Sequence, residues 1–229
     1  MAETRLLLGI DTCGPSGSVA LAALAGSKLK MLGQTELSGR TYSATLVDAV
    51  AALLTRAGMP LCRVNAIVAV VGPGSFTGVR VGLSAVKGLA EPAKTRVAGV
   101  SRLEVLAAKA DVQSAALDAH RREVFLRLAG KAPKTQELLA GKDDLIQMSP
   151  PRGPIGVCDD IAAALLHSAW PDAHLVHVAP PSAMDAIHLA LPQVLAGEFV
   201  DAALLDGHYL RRSDAEIFGE RDEARAQPK

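Results

Sequence analysis

The order of apolar and polar positions predicts an α/β protein built from two successive series of strands and helices. Near the N-terminus, residues 5–11, 18–24 and 28–37 are apolar segments of strand length, and a Gly/Pro-rich turn separates the first two. Consecutive strands that are joined by short turns pair in opposite directions. We therefore expect the chain to begin with an antiparallel sheet.

A helix is predicted next, because apolar residues recur with helical spacing from Leu46 to Ala57 and Gly58 follows as a stop signal. The opposite face of this helix carries only small or short side chains: Ala44, Asp48, Ala51 and Thr55. Such a smooth face is unusual for a surface that meets only water. It indicates that another element packs against this helix.

The segment NAIVAVVG, residues 65–72, is continuously apolar, which is typical of a strand covered on both faces in a parallel sheet. A glycine-rich segment, VGPGSFTGVRVGLSAVKGLA at residues 71–90, begins where this strand ends. It predicts a helix with two apolar faces, one of which contains Gly78, Gly82, Ala85 and Leu89. Glycine inside a helix costs about 0.5–1 kcal/mol relative to alanine, so these glycines indicate close approach by another backbone.

The remaining pattern predicts a first lobe and a smaller second one. A strand at residues 95–100 and a helix opened by an S-x-x-E capping box of Ser101 and Glu104 complete the first series. The second series contains predicted strands at residues 113–119, 122–129, 154–158 and 175–179, and helices at residues 159–169 and 182–199. Pro192 should kink or shorten the last helix. We predict lobes at residues 1–105 and 106–210 and a charged tail at residues 211–229.

Composition narrows the classes of function. Lysine plus arginine and aspartate plus glutamate each number 24, and only 3% of residues are aromatic, so the chain lacks the features of an autonomous RNA-binding module. Cys13, Cys62 and Cys158 are odd in number and show no C-x-x-C spacing, which predicts reduced thiols rather than disulfides or a zinc site. No apolar segment reaches the roughly 20 residues of a membrane span. We therefore expect a cytoplasmic protein that binds no membrane.

The glycine-rich turn does not match the standard phosphate-binding motifs. A P-loop requires a lysine after its last glycine, but Val79 follows Gly78. The spacing also has one residue too many for the dinucleotide motif, and no acidic residue closes the following strand. A bound anion at the start of this helix stays open as an alternative, with Gly72, Gly74 and Ser75 as its candidate contacts.

The chain resembles the TsaB (YeaZ) family, which is related to TsaD, in five segments: LLLGIDTCGPSGSVAL, the glycine-rich segment, GVSRLEVLA, ALDAHRREVF and YLRR. Together these segments extend over the whole chain. The resemblance implies an α/β fold with two lobes of the actin and sugar-kinase ATPase type, which is ribonuclease H-like, with a reduced second lobe.

The same resemblance implies a function in making threonylcarbamoyladenosine (t6A) in tRNA. It implies a non-catalytic scaffold or dimerisation subunit that pairs with the catalytic subunit TsaD, acts with the ATPase TsaE, and contacts tRNA only through the complex. We expect no catalytic residue, no metal site and no required cofactor, and a homodimer when the chain is alone. ATP or ADP at a partner interface is left open. The family forms its interface from the first two long helices, so the predicted interface comprises Ala44, Asp48, Ala51, Thr55, Gly78, Gly82, Ala85 and Leu89.

Several positions differ from the related patterns. The metal-binding relative TsaD has two histidines spaced H-x-x-x-H, and the alignment places Arg102 and Leu106 there, neither of which can ligate a metal. Cys13 and Gly14 replace a polar pair in the first turn of the family. Asp11 ends the first strand, where the superfamily carries a magnesium-side aspartate. A turn-stabilising role without a ligand is the alternative for Asp11.

Two enzymatic functions are alternatives to the scaffold. A phosphotransferase of the sugar-kinase type would need acidic groups in both lobes, and the second lobe offers Asp118, Asp159 and Asp160 without a recognisable phosphate hairpin. A peptidase would need an activated serine, but the residues around Ser75 do not have the G-x-S-x-G spacing.

Overall fold

The computed structural model describes residues 4–39, 41–129 and 135–211, which form two five-stranded sheets and the helices around them. The strands of the first sheet, β1 to β5, are Thr4–Asp11, Ser16–Ala25, Lys28–Ser38, Val64–Val70 and Arg96–Val100. The strands of the second sheet, β6 to β10, are Ser114–Asp118, Glu123–Leu128, Gln136–Gly141, Ile155–Val157 and Leu175–His177. The helices α1 to α6 are Tyr42–Arg56, Phe76–Ala93, Arg102–Lys109, Lys142–Gln147, Asp160–Ala169 and Ala183–Ala196.

The two sheets have the same topology. The strand order is β3-β2-β1-β4-β5 in the first sheet and β8-β7-β6-β9-β10 in the second. In each sheet three antiparallel strands are followed by two strands that pair in parallel. Parallel pairing explains why β4 reads as a continuous apolar segment, since helices cover both faces of such a strand. The expected α/β class with two related halves is confirmed.

The last helix of each half packs against the sheet of the other half. Helix α3 follows β5 but packs against β6, β7 and β9 of the second sheet. Helix α6 follows β10 but packs against β1, β2, β4 and β5, where Ile187 joins the core of the first sheet. The predicted lobe boundary near residue 105 stays a prediction. The packing of α6, however, places a helix from the predicted range 106–210 on the first sheet.

Three local expectations differ from the structure. Strand β8 and the short helix α4 were not predicted, because their segment alternates too weakly to stand out from a loop. The capping box expected at Ser101 does not form, since its hydroxyl donates to Glu137 at 2.7 Å instead. Helix α6 continues through Pro192 and ends at Ala196, and its C-cap, Gly197, has a left-handed conformation with φ of 76°.

Two further expectations concern the charged tail and membrane-spanning helices. The predicted tail lies, after Arg211, outside them. In the part of the chain that the structure describes, every helix is too short or too polar to cross a bilayer.

Candidate functional site

The glycine-rich turn between β4 and α2 wraps around the end of β1. The Ser75 N–H donates to the Cys13 carbonyl at 2.7 Å, and the Ser75 hydroxyl caps α2 by accepting the Gly78 N–H at 3.3 Å. The Gly72 carbonyl accepts the N–H of Arg102 at 2.6 Å, which joins the turn to the start of α3. The turn therefore connects the ends of β1 and β4 with two helices at one point.

Three glycines of this segment lie close against other atoms of the same chain. A β-carbon added at Gly74 would lie 2.1 Å from the Cys13 carbonyl oxygen, and one at Gly78 would lie 2.1 Å from the Thr12 carbonyl oxygen. At Gly82 it would lie 2.2 Å from the Thr12 hydroxyl oxygen. Gly78 and Gly82 are buried. The prediction that these two glycines present an open face to a partner is therefore wrong, because Thr12 of the same chain covers them.

The turn also does not form an open cradle for phosphate. Gly72 has φ of 114°, and a β-carbon there would lie 2.9 Å from the carbonyl oxygen of His208. Gly74 likewise faces a carbonyl oxygen, and the N–H of Ser75 is already bonded within the chain. Carbonyl oxygens carry partial negative charge and repel anions. This geometry does not favour Gly72, Gly74 and Ser75 as phosphate contacts, and their use as such stays a prediction.

The other predicted interface residues lie at the surface of two adjacent helices. Ala44, Asp48, Ala51 and Thr55 of α1 are exposed, and Ala85 and Leu89 of α2 are half-buried. Helices α1 and α2 are in contact, so the two sets lie on neighbouring helices. Val47 lies among the α1 residues and is 54% exposed, a large value for a valine. We call this surface, formed by Ala44, Val47, Asp48, Ala51, Thr55, Ala85 and Leu89, the α1–α2 face. Its contact with a partner stays a prediction.

Asp11 and Arg102 form a buried ion pair beside the turn. Asp11 is fully buried, and its Oδ1 accepts the N–H of Cys13 at 2.8 Å, as expected for a turn-stabilising aspartate. Its Oδ2 lies 3.5 Å from Nε of Arg102, whose side chain is 6% exposed. Burial alone would lower the pKa of Arg102, but the Asp11 carboxylate raises it above its ordinary value. The guanidinium therefore stays charged.

The residues around this ion pair do not fit a magnesium ion. Mg²⁺ requires about six oxygen ligands at about 2.0–2.1 Å, and one oxygen of Asp11 already accepts a backbone N–H while the other faces a cation. Arg102 and Leu106, at the positions of the TsaD histidines, are both buried. Within residues 4–39, 41–129 and 135–211, no group of three His, Cys, Asp or Glu side chains is arranged to hold a metal ion.

Three of the four side chains considered for catalysis, Asp118, Asp159 and Ser75, have structural partners. Asp159 caps α5 through the Ala162 N–H at 2.7 Å and also accepts the N–H of Asp118 at 3.1 Å. Asp118 in turn contacts His120 with both carboxylate oxygens. The Ser75 hydroxyl serves as a helix cap. These contacts use the side chains for turns and helix ends.

The structure contains a cluster of polar side chains around Glu137 that the sequence analysis did not predict. Its carboxylate accepts from Ser101 at 2.7 Å and Arg127 at 2.7 Å, and it contacts Nε2 of His208 at 2.8 Å. Burial alone would raise the pKa of Glu137, but hydrogen bonds from His208, Ser101 and Arg127 lower it below its ordinary value. The cluster joins the second sheet to the start of α3 and to the C-terminal segment. No spacing in the sequence could identify partners that lie this far apart.

A groove of about 650 Å³ lies between α2 and the residues that follow α6. The Phe76 ring contacts the Tyr209 ring, with centroids 4.9 Å apart, and the guanidinium carbon of Arg80 lies 3.9 Å from the Phe76 centroid. Tyr209 and Arg211 of the YLRR segment line this groove. The segment therefore packs next to the glycine-rich helix, although more than 100 residues separate the two in sequence.

Comparison with curated proteins identifies relatives in one biosynthetic process. A family model described as "TsaD: tRNA N6-adenosine threonylcarbamoyltransferase" matches residues 34–147. The chain is 36% identical over 129 residues to the "tRNA threonylcarbamoyladenosine biosynthesis protein TsaB" of Haemophilus influenzae, covering 54% of this chain and 53% of that protein. It is 35% identical over 125 residues to the protein of the same name from Escherichia coli, covering 52% of each. The chain thus spans about half the length of the curated relatives it matches.

Solved structures extend the similarity to most of the chain. The structure of YeaZ from Pseudomonas aeruginosa superposes with a TM-score of 0.72 at 26% identity, covering 90% of this chain and 100% of that one. A second Pseudomonas aeruginosa structure, described as an uncharacterized protein with similarity to peptidase YEAZ, gives a TM-score of 0.74 at 27% identity, with the same coverage. The two-lobed fold is therefore of the actin and sugar-kinase ATPase type. The relatives named TsaB, the structures named YeaZ and the TsaD family model together support the TsaB/YeaZ family for this chain.

Proposed function

We propose that this protein is the non-catalytic scaffold subunit of the complex that makes t6A in tRNA. In this proposal it pairs with TsaD, acts with the ATPase TsaE, and contacts tRNA through the complex. The names of its relatives support the process, and the family supports a place in the cytoplasm, where tRNA is modified. The α1–α2 face is the single observation that carries the pairing.

The chemistry of the α1–α2 face supports contact with another helical surface. The side chains of Ala44, Ala51 and Thr55 are short, so the backbone of a second helix can approach α1 closely. Val47 adds an exposed apolar side chain, which contact with a partner would remove from water. Helix α2 adds Gly88, which is exposed and has no atom within 4 Å of an added β-carbon. The close-approach surface therefore lies one helix face away from the buried glycines.

The contacts beside the turn support a non-catalytic role. Asp11 is paired with Arg102, and the serine considered for a peptidase caps α2. Any ATP or ADP that the complex binds through this chain would lie at the interface between subunits. A second copy of the chain would use the same face when TsaD is absent, so homodimer and heterodimer compete.

Size-exclusion chromatography with light scattering tests the pairing. Wild-type protein should co-elute with its cognate TsaD as a heterodimer. Ala51→Arg places a long cation in the middle of the α1–α2 face and should abolish co-elution. Ala164→Arg introduces the same change at an exposed alanine of α5 and is the matched control. Normal co-elution of Ala51→Arg, at unchanged melting temperature, would show that the face is not the interface.

Enzyme assays test the scaffold role separately. The purified chain alone should hydrolyse no ATP, and threonylcarbamoyl transfer to tRNA should require this chain together with TsaD and TsaE. Sustained ATP turnover by the isolated chain would contradict the scaffold and favour a phosphotransferase.

A further inference from the structure

The ion pair of Asp11 and Arg102 joins the two halves of the molecule. Asp11 is the last residue of β1 in the first sheet, and Arg102 is the first residue of α3, which packs against the second sheet. Both side chains are almost completely removed from water. A buried charge needs an opposite charge, so neither residue can leave this contact without a large loss of stability.

The absence of a side chain at Gly14 leaves the space that the Arg102 guanidinium occupies. A β-carbon at Gly14 would lie 2.2 Å from a terminal nitrogen of Arg102 and 2.9 Å from its Cζ. The Gly14 carbonyl accepts the Tyr42 hydroxyl at 2.8 Å, which fixes the turn and prevents it from moving aside. Any side chain at residue 14 would therefore occupy the position of the Arg102 charge.

The fold family implies a metal-bound nucleotide near the end of the first strand, and this site does not fit one. Asp11 already has its charge balanced by Arg102, and a divalent cation next to a guanidinium would be repelled. The neighbouring turns present the carbonyl oxygens of Thr12 and Cys13 to α2 and its preceding turn rather than N–H groups to an anion.

We propose that Arg102 is a built-in cation that takes the place of a metal-bound ligand between the halves, and that Gly14 is the residue that makes room for it. Because arginine stays protonated in proteins, this cation is permanent, whereas a metal or nucleotide dissociates. The two sheets are thereby held in one arrangement without a ligand. The inference concerns the isolated chain and does not depend on the proposed partner.

The match between Gly14 and Arg102 is tested by thermal unfolding of the full chain. Gly14→Ala should lower the melting temperature by at least about 4 °C, because its β-carbon displaces the guanidinium. The control Gly153→Ala adds a β-carbon with no atom within 4 Å and should change the melting temperature by less than about 2 °C.

A second background isolates the contribution of the guanidinium. In the double variant Asp11→Asn/Arg102→Leu both charges are absent, so no unpaired buried charge remains. When Gly14→Ala is added to this double variant, the melting temperature should fall by less than half as much as it does when Gly14→Ala is made in wild type. The remaining decrease would come from the Ser16 carbonyl oxygen, which lies 2.8 Å from the added β-carbon. An equal cost in both backgrounds would overturn the match.

Ligand titration tests the replacement of the metal. Electron paramagnetic resonance of free Mn²⁺, with and without ADP, should detect no saturable binding that depends on Asp11 in the wild-type chain. Binding that the double variant Asp11→Asn/Arg102→Leu abolishes, while it still unfolds cooperatively, would overturn the inference. Binding that persists in this double variant would lie elsewhere on the protein and would agree with it.

Discussion

The Thr12 hydroxyl lies where a side chain at Gly82 would have to stand, since a β-carbon there would be 2.2 Å from Thr12 Oγ1. The hydroxyl is fixed, because it donates to the Gly78 carbonyl at 2.7 Å. Gly78 and Gly82 of α2 are therefore required by the fold of the chain itself. A bulky substitution such as Gly82→Leu would disrupt folding and could not serve as a specific probe of partner binding.

Gly82→Ala should lower the free energy of unfolding by about 1–3 kcal/mol, although alanine is the better helix former. Urea denaturation followed by circular dichroism measures this loss. In a Thr12→Ala background the clashing oxygen is absent, so at least half of the loss should disappear. A cost that is the same in both backgrounds would rule out Thr12 as the cause.

Gly88→Ala should have the opposite sign. A β-carbon at Gly88 meets no atom within 4 Å, and the residue lies inside α2, so alanine should raise the free energy of unfolding by about 0.5–1 kcal/mol. The measurement is the same urea denaturation, performed on the isolated chain at a concentration where light scattering shows a monomer. Destabilisation would show that this helix position is not free to accept a side chain.

The order of apolar and polar residues predicted many of the strands and helices, but fewer of the contacts around the glycine-rich turn. The strands β1, β2 and β4 and the helices α1 and α2 follow from alternation and helical spacing, because burial on one or two faces imposes a regular period. The glycine-rich turn was located correctly at a strand-to-helix junction. The partner of its glycines was not, because Thr12 is about 65 residues away and spacing records only local neighbours.

The same limit explains the ion pair and the Glu137 cluster. A turn-stabilising role was one of two alternatives for Asp11, but nothing near Arg102 in sequence shows that its side chain reaches Asp11. Ser101 and Glu104 have the spacing of a capping box, yet Glu137, on a strand that was not predicted, takes the Ser101 hydroxyl. A contact with a distant segment replaces the local interaction at Ser101 and is added to it at Asp11.

Glu137→Gln should reduce the dependence of stability on acid pH. Hydrogen bonds lower the pKa of Glu137 in the folded protein below its ordinary value of 4.5, so the unfolded chain binds this proton more readily. The stabilisation is present above the ordinary pKa and is lost as the pH falls through the folded value. The free energy of unfolding of wild type should therefore fall more steeply than that of Glu137→Gln below about pH 5.

Urea denaturation at a series of pH values measures this difference in slope. Glu198→Gln removes an exposed carboxylate from the surface and is the control for loss of one charge. Parallel curves for wild type and Glu137→Gln would contradict the assignment.

The three thiols should react with Ellman's reagent in a fixed order. Cys62 is exposed and should react first, whereas burial raises the pKa of Cys158 to about 11 and slows the formation of its thiolate. Burial, together with the nearby Asp11 carboxylate, also raises the pKa of Cys13, which should react only when the protein unfolds. Kinetics with Cys62→Ser, which should lose the fast phase alone, assign the order. A fast phase from Cys13 in native buffer would contradict the burial of the turn.

The position of α6 determines when the first sheet can be completed during synthesis on the ribosome. Its apolar face covers β1, β2, β4 and β5, yet it is translated after all five strands of that sheet. Until it emerges from the exit tunnel, the first sheet carries an uncovered apolar surface, although each of its strands already exists. The first sheet therefore reaches its final state only after α6 has emerged, and nascent chains that end before Ala183 would need protection from aggregation.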